Sequence, residues 1–223
     1  MNQETKSPGG KAELRRQQIL DAAAECFRKS GFHAASMAEI AKSFGMSAGH
    51  IYNYFESKEA IIAAMVKRDM DQALERIARI QGEKDILKAM LGTVDEGVQR
   101  RIDRRELDME ILAEAARNPK VAATVQCTDA VIREKVSNLI EGILLAGSTP
   151  EPTPDATADT PGNAIAGNTE KQSLAGKDKL AAKSTILMAL FDGLQIRAIR
   201  DPNMDADEIA RLLKAIIPQL LKS

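Results

Sequence analysis

Side chains able to bind phosphate or the edges of bases are concentrated between Ser36 and Lys58, in the sequence SMAEIAKSFGMSAGHIYNYFESK. His50 and Asn53 can both donate and accept hydrogen bonds, and an Asn amide matches the N6 and N7 atoms of adenine. Hydroxyl groups, lysine and helix N-termini suit phosphate, which carries no base-sequence information. The segment therefore predicts contacts to nucleic acid.

Two short helices joined by a tight turn must position these side chains. Ser36 and Glu39 have the spacing of a capping box, in which each residue satisfies a backbone N–H at the start of a helix. Gly45 then supplies a turn, and Ser47 is suited to cap the next helix. This pattern predicts a helix-turn-helix over about residues 36–55, whose second helix would enter the major groove of DNA.

The segment Gly31–Ile62 resembles the TetR/AcrR family of transcriptional regulators. The matching positions are Gly31-Phe32, Ser36, Ile40-Ala41, Gly45-Met46-Ser47, Tyr52, Tyr54-Phe55, Ser57-Lys58 and, near the other end of the chain, Phe191-Asp192-Gly193-Leu194. The chain departs from the family pattern at Ala35 and Ala48, where other members often carry residues that contact DNA. The resemblance implies an N-terminal three-helix DNA-binding domain and a C-terminal helical domain for ligand binding and dimerisation.

The two kinds of DNA contact divide between two sets of residues. Small side chains at Ala48 and Gly49 would let the backbone approach the bases, and the Ala48 methyl could touch a thymine methyl. We expect base contacts from Ala48, Gly49, His50 and Asn53. We expect phosphate contacts from Ser36, Ser47, Tyr52, Tyr54 and Lys58. Two alternatives remain open, because His50 could be a solvent-facing turn residue and Tyr54 could be part of the core.

Composition and periodicity predict an all-α chain. Aromatic residues are 3% of the sequence, and alternating β-branched runs between turn residues are absent. We expect about nine helices, one of them over 85–104. Residues 1–10 read as a flexible arm, residues 11–72 as the DNA-binding domain and residues 73–223 as the effector-binding and dimerisation domain. Within the latter, 147–176 is rich in Pro, Thr and Gly and predicts a mobile loop, with a functional lid as the alternative.

Two strongly apolar helices at the C-terminal end need a partner to cover them. Two copies of the chain could bury them together as a four-helix bundle, which predicts a homodimer. The alternative is that the apolar stripe packs against other helices of the same chain. The expected interface residues are Leu187, Leu190, Leu194, Leu212, Leu213, Ile216, Ile217 and Leu220.

The resemblance also implies a pocket for a small, largely apolar effector. Methionine-rich linings adapt to varied ligands, although methionine at helical spacing can equally be plain core. The candidate lining residues are Met90, Val94, Met109, Leu112, Val131, Met188 and Phe191. Ligand binding would change the separation of two DNA-reading heads, which a palindromic operator requires to be ~34–36 Å or a multiple. A ligand-released repressor is therefore expected, the alternative being a degenerate member that binds a ligand or a protein but no DNA.

Other classes of function have little support. His33 and His50 are the only histidines, and no H-E-x-x-H, P-loop or Gly-rich cofactor motif occurs, so we expect neither an enzyme nor a cofactor or metal. Cys26 and Cys127 lack metal-ligand spacing and are expected to be buried small apolar residues, with a redox-active thiol as the alternative. Because no segment approaches ~20 apolar residues, we expect a cytoplasmic protein without a membrane span.

Overall fold

The structure is a computed structural model that describes residues 8–147 and 166–222. Every regular element in these ranges is an α-helix, which confirms the predicted all-α class. The helix predicted over 85–104 is divided at Thr93 into two, so ten helices are described rather than about nine. The helices are α1 (Pro8–Ala34), α2 (Met37–Ser43), α3 (Ala48–Ile51), α4 (Lys58–Gln81), α5 (Ile86–Gly92), α6 (Val94–Asp103), α7 (Arg105–Ala115), α8 (Pro119–Gly147), α9 (Ala166–Arg200) and α10 (Ala206–Lys222).

The described residues fall into two compact units. The first contains residues 8–72 and 103–129, and the second contains residues 73–102, 130–147 and 166–222. The first segment of the first unit ends at residue 72, and the predicted domain functions stay a prediction. The segment 103–129 nevertheless joins that unit, because α7 packs against α1. Local sequence patterns carry no signal for such a long-range contact.

α1 begins at Pro8, because proline lacks only an N–H that the first turn of a helix leaves unbonded. The predicted arm over residues 1–10 is therefore helical at its last three residues, and residues 1–7 lie outside the described part of the chain. Ile19, Ala23 and Phe27 recur every fourth residue along α1 and are buried. Gly31 interrupts the helix with φ 76°, a value that favours glycine.

The core of the first unit joins α1 to the helix-turn-helix and to the start of α4. Ile40 of α2, Ile51 of α3 and Ile61 of α4 are completely buried, and Phe55 is nearly so. These contacts fix α3 against the two helices that flank it. The expectation of buried cysteines is wrong for Cys127, which is exposed, while Cys26 is partly buried beside the Ser43 hydroxyl.

The second unit has its own core, formed by α4–α6 and α8–α10 residues such as Val98, Ile140 and Ile217. α6 and α9 pack closely, because a Cβ at Gly97 would lie 3.1 Å from the Phe191 ring. α10 continues through Pro218 to Lys222. Within the described ranges, no helix combines the length and the apolar character needed to cross a bilayer.

The predicted loop over 147–176 extends too far towards the C-terminus, because α9 already begins at Ala166. Residues 166–176 form the first turns of α9, while residues 148–165 lie outside the described part of the chain. The Pro and Thr residues that suggested a loop end before Ala166, and Glu170, Lys171, Gln172 and Leu174 all favour helix. Averaging composition across the whole stretch concealed this change.

Candidate nucleic-acid interface

The predicted capping box is present at the start of α2. The Ser36 hydroxyl oxygen accepts a hydrogen bond from the Glu39 backbone N–H at 3.1 Å, and Glu39 Oε2 accepts from the Ser36 N–H at 2.7 Å. The Ser36 N–H holds the pKa of the Glu39 carboxyl below its ordinary value, so this acceptor stays ionised. Ser36 therefore fixes where α2 begins, and its exposed position leaves the predicted phosphate contact open.

α3 is a single turn, which presents its small and polar side chains to solvent. The Ser47 hydroxyl accepts from the His50 N–H at 3.3 Å and caps the helix as predicted. Gly45 precedes it with φ 74°, the conformation that a tight turn requires. The four residues predicted to contact bases are all exposed on this turn or directly after it, namely Ala48, Gly49, His50 and Asn53.

The two tyrosines after α3 have different environments. Tyr52 is 55% exposed, as a residue that contacts phosphate would be. Tyr54 is only partly exposed, and its ring stacks on that of His50 with centroids 5.9 Å apart and planes 10° apart. His50 faces solvent and Tyr54 packs against the first unit's core, while the base contact predicted for His50 and the phosphate contact predicted for Tyr54 stay predictions.

Lys58 has a structural contact that the sequence did not predict. Its ammonium group donates to the Phe32 carbonyl oxygen at 2.6 Å and to the His33 carbonyl oxygen at 3.3 Å. The same nitrogen lies 4.5 Å from the centroid of the Phe32 ring, within the range of a cation–π contact. Lys58 thereby ties the start of α4 to the junction between α1 and α2. Its predicted phosphate contact stays a prediction.

Two carboxylates of α7 also contact the junction between α1 and α2. Glu110 Oε2 accepts from the Phe32 N–H at 2.9 Å, next to the break at Gly31. Glu114 is buried, accepts from the Asn118 side-chain amide at 2.9 Å, and lies 3.4 Å from His33 Nε2. Sequence reasoning missed Glu110 because its partner is 78 residues away and no local pattern links them.

Two arginines near the start of α1 also contact the helix-turn-helix. Arg16 Nη1 donates to the Tyr54 carbonyl oxygen at 2.6 Å, and the Arg16 guanidinium lies 4.4 Å from the centroid of the Phe55 ring. The Arg15 guanidinium lies 4.8 Å from the centroid of the Phe44 ring. A groove of about 500 Å³ separates α1 from Tyr54 and is lined by Lys11, Ala12, Leu14, Arg15, Gln18 and Tyr54.

The predicted pocket residues are distributed over both units. Met109 and Leu112 lie in the first unit, where Leu112 is 48% exposed. The other five belong to the second unit; of these, Met90 and Val94 are buried in its core, while Val131, Met188 and Phe191 are partly exposed. The pocket lining stays a prediction.

The predicted dimer interface divides into covered and open residues. Leu187, Leu213 and Ile217 are already buried in the core of the second unit, so a second copy cannot be what covers them. Leu194 and Leu220 are half-buried against the same core. Leu190, Leu212 and Ile216 are 37%, 46% and 48% exposed. Burial within the chain could not be separated from burial between chains by periodicity alone.

In the part of the chain that the structure describes, no three His, Cys, Asp or Glu side chains come together as possible ligands for one ion. The exposed polar groups around α3 instead form a surface of hydrogen-bond donors and acceptors.

Residues 19–65 match the sequence model described as "Bacterial regulatory proteins, tetR family". Over these residues the chain is similar to TetR-family regulators. The HTH-type transcriptional regulator UidR of Escherichia coli strain K12 is 37% identical over 126 residues, which are 56% of this chain and 64% of UidR. The match thus spans less than two thirds of that relative. The relatives of this chain are transcriptional regulators, in agreement with the expectation that the chain is not an enzyme.

Solved structures share the fold of this chain over nearly its full length. Salmonella enterica GusR has a TM-score of 0.70 and 23% identity, with 99% of this chain and 100% of GusR covered. FadR of Bacillus subtilis, solved in complex with stearoyl-CoA, has a TM-score of 0.65 and 18% identity, with 92% and 96% covered. At these identities the likeness concerns the fold.

Proposed function

We propose that this chain is a dimeric, sequence-specific DNA-binding transcriptional regulator of the TetR family. We infer that it acts in the cytoplasm as a repressor bound to a palindromic operator. A small, largely apolar ligand would release it from that operator. The observation that carries the proposal is the exposed α3 turn, which presents Ala48, Gly49, His50 and Asn53 together.

The geometry around α3 supports DNA reading. Ser47 caps the helix, and Ile51 and Phe55 are buried, so the exposed residues are held on a fixed support. His50 and Asn53 can match donors and acceptors on base edges, and small neighbours let the backbone approach. Tyr52 and the basic start of α1 offer hydroxyl and cationic groups to phosphate, which would supply affinity without sequence preference.

The exposed apolar side chains of α9 and α10 support dimerisation. Leu190 on α9 and Leu212 and Ile216 on α10 each leave more than a third of their surface exposed. Ile186, Ile196 and Ile199 extend the exposed apolar surface of α9. Burying such surface contributes roughly 25 cal/mol per Å². Two copies would also give the DNA contact two reading heads, which a short α3 needs for selectivity.

The described core of the second unit is built from aliphatic and methionine side chains such as Met90 and Val98, which favours an apolar ligand. The FadR structure shows that the same fold holds stearoyl-CoA in another protein. A long-chain acyl-CoA is therefore the first ligand class to test.

The DNA-binding proposal is tested by selecting bound duplexes from a random pool and measuring affinity by fluorescence anisotropy. Wild-type protein should select a palindrome, and Asn53→Ala should change its base preference. Tyr52→Phe should weaken binding to all duplexes by a similar factor. Lys84→Ala, a charge change in the exposed turn after α4, is the matched control and should leave preference unchanged. Failure to select any common sequence would refute the proposal.

Dimerisation is tested by sedimentation velocity. Leu212→Glu places a charge on the exposed apolar face of α10 and should shift the protein from dimer to monomer. Leu112→Glu is a matched control, because Leu112 has nearly the same exposure but lies on α7. A monomeric wild type, or equal behaviour of the two variants, would contradict the proposed interface.

Ligand release is tested by titrating stearoyl-CoA and shorter acyl-CoA chains into the protein–DNA complex. A ligand that binds the DNA-free form preferentially should lower DNA affinity and raise the melting temperature of the free protein. If acyl-CoA does neither, a screen of other apolar compounds follows. If no apolar class releases DNA, the ligand-release part of the proposal fails while the DNA-binding part stands.

A further inference from the structure

We propose that Tyr54 is a positioning residue whose ring sets the orientation of the His50 imidazole and thereby the base preference at one position of each half-site. The inference rests on the proposed DNA-binding function. It gives Tyr54 a role beyond the phosphate contact expected from its hydroxyl group. It also means that α1 contributes indirectly to base recognition.

The stacked pair is the first observation. His50 belongs to α3, and Tyr54 follows four residues later, one helical turn along the chain. Their centroids are 5.9 Å apart and their planes differ by 10°, which is within the contact range of offset-stacked rings. An exposed imidazole would otherwise turn about its side-chain bonds. Contact with a parallel ring restricts the plane in which its two nitrogens can point.

Tyr54 is in turn held in place by residues of α1. Its carbonyl oxygen accepts the hydrogen bond from Arg16, which ties its backbone to α1. Tyr54 also lines the groove that contains Leu14 and Gln18 of α1. The following residue, Phe55, is buried beneath the Arg16 guanidinium. The direction of the His50 ring therefore depends on α1, through Tyr54, as well as on the short helix that carries it.

The chemistry of imidazole makes this direction important. Neutral His has one nitrogen that donates and one that accepts, so it can address the N7 or O6 acceptors of guanine or the donor and acceptor of adenine. Contacts to guanine and to adenine require the imidazole nitrogens to point in different directions, and they differ less in the strength of the hydrogen bond. A ring held in one plane favours one base, whereas a freely rotating ring accepts several.

The experiment compares four variants on the selected palindrome and on duplexes with single base-pair changes. Tyr54→Phe keeps the ring, Tyr54→Leu removes it, His50→Ala removes the reader, and the double variant combines the last two. We expect Tyr54→Phe to keep wild-type discrimination. Tyr54→Leu should reduce discrimination at one position by about 2- to 10-fold, the range expected for an aromatic pair. In the His50→Ala background, Tyr54→Leu should change discrimination no further.

A readout without DNA accompanies these measurements. The ring-current shift of the His50 carbon-bound protons in an NMR spectrum should persist in Tyr54→Phe and disappear in Tyr54→Leu. Tyr52→Leu removes a ring of the same kind two residues away and should leave that shift unchanged. Tyr54→Met retains a long side chain without a ring and replaces Tyr54→Leu if the latter unfolds.

Two outcomes would overturn the inference. If Tyr54→Leu weakens binding to all duplexes equally, also in the His50→Ala background, Tyr54 contacts phosphate and does not position His50. If the His50 shift is unchanged by Tyr54→Leu, the rings do not stack in solution. Either result leaves the proposed function intact, because wild-type protein would still select its palindrome. Failure of wild type to select any duplex removes both.

Discussion

Replacing Gly49 with Ala is expected to change the stability of the protein and its affinity for DNA in opposite directions. A Cβ built at Gly49 meets no atom of the protein within 4 Å. Gly49 lies within the short helix α3, where alanine is favoured over glycine by up to about 1 kcal/mol. The protein's own fold therefore gives no reason for glycine at this position. We expect Gly49→Ala to raise the melting temperature by up to ~4 °C.

The effect on DNA binding should have the opposite sign. If the backbone at Gly49 lies against a base pair, one added methyl overpacks the interface, and overpacking costs about 1–3 kcal/mol. Because 1.4 kcal/mol corresponds to a factor of ten, we expect a loss of at least roughly tenfold for most of that range. Two reading heads on one palindrome would square this factor to about 100-fold. Calorimetry measures the first effect and fluorescence anisotropy the second.

The matched control is Gly45→Ala, in the turn before α3. A Cβ there also meets nothing within 4 Å, but Gly45 has φ 74°, which costs an L-residue roughly 1–2 kcal/mol. This variant should lower the melting temperature. If Gly49→Ala leaves DNA affinity unchanged while the protein stays folded, Gly49 is not a point of close approach, and our assignment of base-contact residues is wrong there.

Three further predictions concern stability. Ser36→Ala removes the cap of α2 and should lower the free energy of unfolding by about 1 kcal/mol in urea titration, whereas Ser36→Asp should restore most of it. Lys58→Met keeps the aliphatic chain but removes the donor to Phe32, and should cost about 1–3 kcal/mol in the same assay; an unchanged value would mean that the contact contributes nothing. Burial raises the pKa of the Asp69 carboxyl despite the nearby Arg104 guanidinium, so the folded state holds this proton to higher pH than the unfolded state. The contribution of Asp69 to stability should therefore fall as pH rises from its ordinary pKa through its raised one, and Asp69→Asn should remove that slope in pH-dependent urea titrations.

The parts of the site that local sequence encodes were predictable. The capping box at Ser36 and Glu39 and the cap at Ser47 involve residues three apart, so their geometry follows from the helix itself. The turn at Gly45 likewise follows from a backbone conformation that few other residues adopt. These signals were sufficient to place α3 and to identify which of its residues face solvent.

Contacts between distant segments were not predictable in this way. The Glu110 hydrogen bond to Phe32 and the joining of residues 103–129 to the first unit depend on how helices pack, and periodicity does not specify a partner. The same limit applies to α10. Its apolar stripe was correctly recognised, but Leu213 and Ile217 turn out to be covered within the chain, whereas Leu212 and Ile216 are exposed.

The peptide groups on both sides of Phe32 give the first unit a natural spectroscopic reporter. The Phe32 N–H is bound by the Glu110 carboxylate of α7, and its carbonyl oxygen is bound by the Lys58 ammonium group of α4. A charged acceptor moves an amide proton resonance downfield and slows its exchange with solvent. One resonance, next to the break in α1 at Gly31, would therefore reveal when α7 loosens its hold on the junction before α2, without a label being introduced.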